Sequence, residues 1–179
     1  ICKRLEDFRT VLEKSDEKIF SELAFCILTP QSKATTSWNA VQALERRDLL
    51  LKGSIEQIRP FLQAVRFPEN KSRYLVEARK LFTENGNLNI KEKLSSAKDN
   101  PVLLREWLLE NVKGLGMKES SHFIRNIGLN NNQLAILDVH ILKNLKELGV
   151  IKEIPKSLTK KKYLEIESKM KKFAEEIGI

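Results

Sequence analysis

The chain has 179 residues, of which 41% are apolar and 31% charged, and its net charge is +8. That balance is globular, the length suits one domain or two interlocked subdomains with a substantial core, and no apolar run approaches a bilayer span. The excess of 32 Lys and Arg over 24 Asp and Glu suits a polyanionic partner, but a lysine-rich solvated surface accounts for charge alone equally well.

The first predicted element, Cys2 to Glu13, places Leu5, Phe8, Val11 and Leu12 at helical spacing. Ser15 with Lys18 three residues on is half a capping box, while Asp16 and Glu17 suit a first turn. That helix runs through Ile19, Phe20, Leu23, Ala24 and Ile27 until Pro30 stops it. A third helix is predicted from Ser32 to about Leu44, with Trp38, Val41 and Leu44 on one face. Ser54 caps a short fourth, Ile55 to Val65. Asn70 begins a fifth through Tyr74, Leu75, Ala78 and Leu81, ended by Asn85-Gly86, and Ile90 to Lys98 is a short sixth. Pro101 to Val112 follows behind Asn100, then Lys118 to Ile127 with Gly128 at its end, then Asp138 to Leu148, then Thr159 to Ile177. No alternating β pattern survives, so the fold class is all-α, without repeats, low-complexity segments or Pro/Gly linkers.

Two cysteines, Cys2 and Cys26, cannot form a four-thiolate iron–sulfur site or a disulfide framework. Cys26 lies in an apolar run, as a buried thiol does, and two histidines far from any cysteine pair give no zinc site. No secretory signal is visible; the first residue is Ile1, not Met, so that absence proves little.

The chain is organised around Asn111-Val112-Lys113-Gly114-Leu115-Gly116-Met117-Lys118, a two-glycine turn between two predicted helices, which is a helix–hairpin–helix. Gly114 and Gly116 are expected to take left-handed dihedrals and to let a phosphate approach the backbone closely. Lys118 falls at the start of the second helix, whose partial positive charge pushes an amine toward its neutral, nucleophilic form. Twenty residues on, in Leu137-Asp138-Val139-His140-Ile141, Asp138 is placed to cap the next helix and to face the lysine across a cleft.

Gly114-Leu115-Gly116-Met117-Lys118 followed by Asp138-Val139-His140 resembles the signature of the helix–hairpin–helix DNA glycosylase superfamily, which includes endonuclease III. The run from Lys118 to Gly128, Ile154 to Leu158 and Lys162 to Glu167 resembles more closely the archaeal and bacterial type-two 8-oxoguanine DNA glycosylase/lyases. The likeness runs from about Phe20 to Glu167 and is weakest in the middle. It implies two helical subdomains: a barrel over 30–132 containing the hairpin, and a second unit from 1–29 plus 133–179, with the active-site cleft between them. Two cysteines exclude the cluster that many endonuclease III relatives carry.

The resemblance implies an enzyme that excises 8-oxoguanine and cleaves the strand by β-elimination, with Lys118 as the Schiff-base nucleophile and Asp138 stabilising positive charge on the sugar. The plainer alternatives are a phosphate-binding lysine and a simple N-cap. Lys113, Gly114 and Gly116 are implied to bind a DNA phosphate through backbone N–H groups, and the hairpin carbonyls to hold a monovalent cation when DNA is present. The alternative there is a tight turn between packed helices. No metal or organic cofactor is needed for the chemistry. His140 matches a histidine that eukaryotic 8-oxoguanine glycosylases keep near a phosphate; a histidine packed at a helix start explains it almost as well. His122 and Arg125 share the face of Lys118 without an assigned role.

Gln31 stands where endonuclease III relatives fill the hole left by the flipped base, although the nearer family often has Ala-Asn in place of Pro30-Gln31. Phe67 matches the family's wedge position, against the alternative of ordinary core. Arg66, Lys71 and Arg73 are plausible phosphate contacts. The family continues past a segment like Phe173 to Gly178 into a tail that helps form the damaged-base pocket; this sequence stops at Ile179, so either it is a piece of a longer chain or specificity is built differently. The expected partner is double-stranded DNA with a flipped base, bound by a monomer in a prokaryotic cytoplasm. The rivals are a glycosylase for another oxidised base, a non-catalytic DNA-binding module that needs only the glycines, and a helical protein-interaction domain.

Overall fold

The computed structural model describes residue 8, residues 10–95 and residues 99–178. Cys2, Leu5 and the last three residues of the helix predicted over 90–98 lie outside the described residues. Within the described part of the first predicted helix, Phe8 is helical and Val11–Glu13 form a 3₁₀ turn, with Phe8 and Val11 buried.

The chain forms two compact units, Ile1–Asn131 and Asn132–Ile179. In the first, α1 (Asp16–Leu28) is the central element. Ile19, Phe20, Leu23, Ala24, Cys26, Ile27 and Leu28 are all fully buried, so this helix is apolar nearly all round, as a helix surrounded by others must be. Ser15 makes no side-chain cap bond; its hydroxyl serves Glu17, whose carboxyl it holds below the usual range. Burial pushes the Cys26 thiol well up, which makes it an inert core group.

Around α1 pack α2 (Ala34–Glu45), α5 (Pro68–Phe82), α6 (Ile90–Ser95) and α8 (Met117–Asn126). Two short helices, α3 (Leu49–Lys52) and α4 (Ile55–Ile58), connect α2 to α5. The predicted helix over 55–65 is thus shorter: α4 opens on a full capping box of Ser54 and Gln57, then gives way to a 3₁₀ segment, Arg59–Leu62, where Pro60 removes a donor. Pro68 starts α5 from the first helical position, two residues ahead of the predicted start.

One small departure from an all-α chain follows α5. Thr83–Glu84 (β1) pairs antiparallel with Asn87–Leu88 (β2) around Asn85-Gly86, both at positive φ. Asn-Gly favours such a two-residue hairpin turn as strongly as it favours a helix stop.

In the second unit, α9 (Val139–Glu147) and α10 (Lys160–Glu176) carry the buried Leu142, Leu145, Tyr163 and Ile166. Thr159 caps α10 by accepting the Lys162 N–H. Among the described residues, no helix is long and apolar enough to cross a membrane.

Candidate active site

The hairpin is held from both sides. Helix α7 (Pro101–Asn111) starts with Asn100, whose side chain accepts the N–H groups of Val102 and Leu103, each at 3.1 Å. The Arg105 side chain, 1% exposed, donates from Nη1 to Ser121 Oγ at 3.2 Å and so ties α7 to α8. Between the two helices Gly114 takes φ +91°, and a Cβ there would stand 2.7 Å from the Tyr74 ring. Glycine is required at this position for backbone and for space. Gly116 departs from expectation: at φ −103° and ψ −174° it is extended, the N-cap of α8, and needs no left-handed freedom. Lys113, on the approach to the turn, reaches Glu77 at 3.3 Å and stays largely exposed.

Lys118 is the second residue of α8, as its spacing predicts. Its ammonium pairs with the neighbouring Glu119, Nζ to Oε1 3.0 Å. The lysine side chain is 35% exposed and the glutamate side chain 11%, so the nucleophile candidate is open to solvent while its partner is fixed in the fold. The helix terminus is thus only part of the lysine's surroundings: the carboxylate of the very next residue in the chain faces it as well.

Gln31, Phe67 and Gly114, far apart in sequence, border one small cavity of about 140 Å³. Gln31 and Phe67 both adopt left-handed backbone, at φ 56° and φ 60°. Phe67 is 48% exposed, which removes the ordinary-core alternative. Lys71 contradicts its expected role: it is buried, and its ammonium points inward to backbone carbonyls, so it offers nothing to a phosphate.

In the second unit, Asp138 N-caps α9, its Oδ1 accepting the N–H groups of His140 at 2.9 Å and Ile141 at 2.8 Å. The extended backbone leading to it is clamped by α10. Tyr163 Oη donates to Ala135 O at 2.7 Å and accepts the Leu137 N–H at 3.1 Å, and Glu167 accepts the Ala135 N–H at 2.8 Å. Tyr163 and Glu167 lie four residues apart on one helix face, which aims both at the same strand of backbone. His140 is exposed rather than packed.

A larger cavity of about 680 Å³ lies in the first unit, lined by Lys18, Glu22, Phe25, Trp38, His122 and Arg125 among others. Phe25 stands edge-on to both Trp38 and His122, at ring distances of 5.4 and 5.8 Å. Lys18 lies over the Trp38 ring. His122 follows Lys118 by one helical turn, which puts the cavity on the lysine's face of α8. Phe25 was legible only as part of a helix; its aromatic partners come from two other helices.

The full chain, residues 1–179, matches the family model described as 8-oxoguanine DNA glycosylase. The chain belongs to this family. A Fusobacterium nucleatum relative named 8-oxoguanine DNA glycosylase/AP lyase is 46% identical, across 99% of this chain and 81% of its own length. The Methanocaldococcus jannaschii 8-oxoguanine glycosylase/lyase, solved with a DNA 15-mer containing 8-oxoguanine, superposes with a TM-score of 0.86 at 37% identity, over 99% of this chain and 82% of that one. The crystal structure of the 8-oxoguanine DNA glycosylase of Thermotoga maritima gives 0.77 at 37% identity, over 98% and 80%. At these identities the helix–hairpin–helix glycosylase fold follows for this family member.

Proposed function

We propose that this chain is a bifunctional DNA glycosylase/AP lyase that removes 8-oxoguanine from DNA and then cuts the strand. The observation that carries the reading is Lys118 at the head of α8, directly behind a glycine hairpin, in a chain matched to the family over its whole length.

The chemistry is amine catalysis. The Lys118 ammonium leaves Glu119, loses a proton and attacks C1′ of the extruded nucleotide. The glycosidic C–N bond breaks, and the base departs with a proton. Ring opening gives the imine; loss of a proton from C2′ then expels the 3′ phosphate, and water releases Lys118. The Asp138 carboxylate opposes the positive charge that develops on the sugar, and its N-cap bonds fix its orientation. Backbone N–H groups at the hairpin take a phosphate, and Lys113 adds charge beside them.

The target must leave the stack before the amine can reach C1′. Phe67 and Gln31, exposed on adjoining turns, are the side chains proposed to enter the duplex in its place. The extruded base is proposed to enter the aromatic cavity beside His122, where stacking on Phe25 or Trp38 suits a planar purine.

The test is borohydride trapping on a duplex with one 8-oxoguanine, comparing wild type with Lys118→Gln. A covalent protein–DNA band that disappears in the variant is expected. A band at an abasic site but none at 8-oxoguanine overturns the lesion assignment and keeps the lyase. No band on either substrate makes Lys118 a phosphate contact and the chain a binding module.

A further inference from the structure

Lys71 is 4% exposed, and its Nζ donates to Leu28 O and Pro30 O, each at 2.7 Å, and to Ser32 Oγ at 3.2 Å. Burying an ammonium is expensive even when it is fully hydrogen-bonded, and an apolar side chain of the same volume would commonly serve stability as well. Burial pushes this amine down to about 8, with the Glu119 carboxylate pulling the other way. The arrangement therefore calls for a reason other than packing.

The bonds of Lys71 converge on two strained turns. Gln31 is held left-handed between Pro30, whose carbonyl accepts from Lys71, and Ser32, whose hydroxyl also does. The same Ser32 Oγ accepts the N–H of Arg66 at 2.9 Å, immediately before Phe67. The backbone N–H of Lys71 itself donates to Phe67 O at 3.1 Å. Phe67 has φ 60° and ψ 54°. A left-handed residue with a side chain is strained and persists only where its surroundings over-determine it. Here two such residues share one network.

We propose that Lys71 is a positioning residue for base extrusion: its buried ammonium locks the Gln31 turn to the Phe67 turn as one insertion unit, formed before DNA is met. This rests on the reading of Gln31 and Phe67 as the inserting side chains. A unit set in advance spares each encounter the ordering of two loops. Its loss slows opening of the duplex and leaves untouched the chemistry on a nucleotide that is already accessible.

Two reactions separate those steps. Excision of 8-oxoguanine from a duplex requires extrusion, whereas borohydride trapping at an abasic site in a single-stranded oligonucleotide has no base pair to open. Lys71→Met, which keeps length and volume, is expected to slow duplex excision by about tenfold or more while single-strand trapping stays within about twofold of wild type. Ser32→Ala, which cuts the link to Arg66, should shift the two reactions in the same unequal way and carries the test if Lys71→Met does not fold. Equal losses in both reactions, or none in either, overturn the proposal and leave Lys71 a structural cap of α1. Phe67→Ala is run beside them. If it leaves duplex excision unchanged, the insertion reading fails and takes this proposal with it. If it slows excision while Lys71→Met and Ser32→Ala do not, the role of Lys71 alone fails.

Discussion

Asp138 combines a structural and a chemical role, and two substitutions separate them. Asparagine caps a helix about as well as aspartate, so Asp138→Asn should keep the urea midpoint close to wild type, while Asp138→Ala should lose about 1 kcal/mol. Both should lose base excision, because both remove the carboxylate. Full excision by Asp138→Asn would reduce the residue to its cap. Lys71 makes a second prediction at this scale. Its folded-state pKa, about 8, lies below that of an unfolded lysine. The unfolded chain therefore binds more protons between those values, and folding stability should rise with pH from about 8 towards 10.5, by at most about 1.4 kcal/mol per pH unit from this group. Below pH 8 the group contributes no slope. Denaturant midpoints of wild type and Lys71→Met across that window check it: the variant's curve should be the flatter of the two.

Among the elements, α10 has the most specific task, because it shapes a stretch without regular structure. Tyr163 is 1% exposed and serves both Ala135 O and the Leu137 N–H, just ahead of the catalytic-carboxylate candidate. Tyr163→Phe leaves the ring packed and strands the buried Leu137 N–H, at roughly 1 to 3 kcal/mol for an unsatisfied buried group, together with the half-buried Ala135 carbonyl. Faster hydrogen exchange at Leu137 and a slower excision rate are expected, with α10 itself still helical. A variant with unchanged exchange at Leu137 would show that water replaces the hydroxyl. By contrast, the exposed pairs of Lys162 and Lys169 with Glu165 hold that carboxyl down to about 2 but are open to solvent and salt.

For the molecule as a whole, a net charge of +8 favours duplex DNA regardless of sequence or lesion. Binding should weaken steeply with salt, with a log–log slope of about −0.9 for each phosphate neutralised. Lys113→Gln should weaken undamaged and lesion-bearing duplexes alike and reduce that slope by about one unit, measured by fluorescence anisotropy across a salt series. A selective loss on lesion DNA would instead place Lys113 in damage recognition.

The parts of this protein that depend on neighbours in sequence were legible in it. Helical periodicity marked α1 and α5, Asn100, Ser54 and Thr159 announced helix starts, and the glycine turn with Lys118 and Asp138 at its spacing carried the family. These are local matters of backbone dihedral, cap and face. Three features needed the folded chain. Gly116 proved extended because α8 begins on it, while Gly114 alone bears the left-handed turn beneath Tyr74. The aromatic cavity gathers Phe25, Trp38 and His122 from three helices whose packing no periodicity specifies. Lys71 stands four residues before Leu75 and seven before Ala78, on the apolar face of α5. That was a usable signal of burial, yet its acceptors lie at the end of α1 and in the turn just after it, some forty residues earlier. Sequence determines which groups are charged, capped and apolar; only tertiary packing decides which carbonyl a buried ammonium meets, because that pairing depends on where two distant segments come to lie.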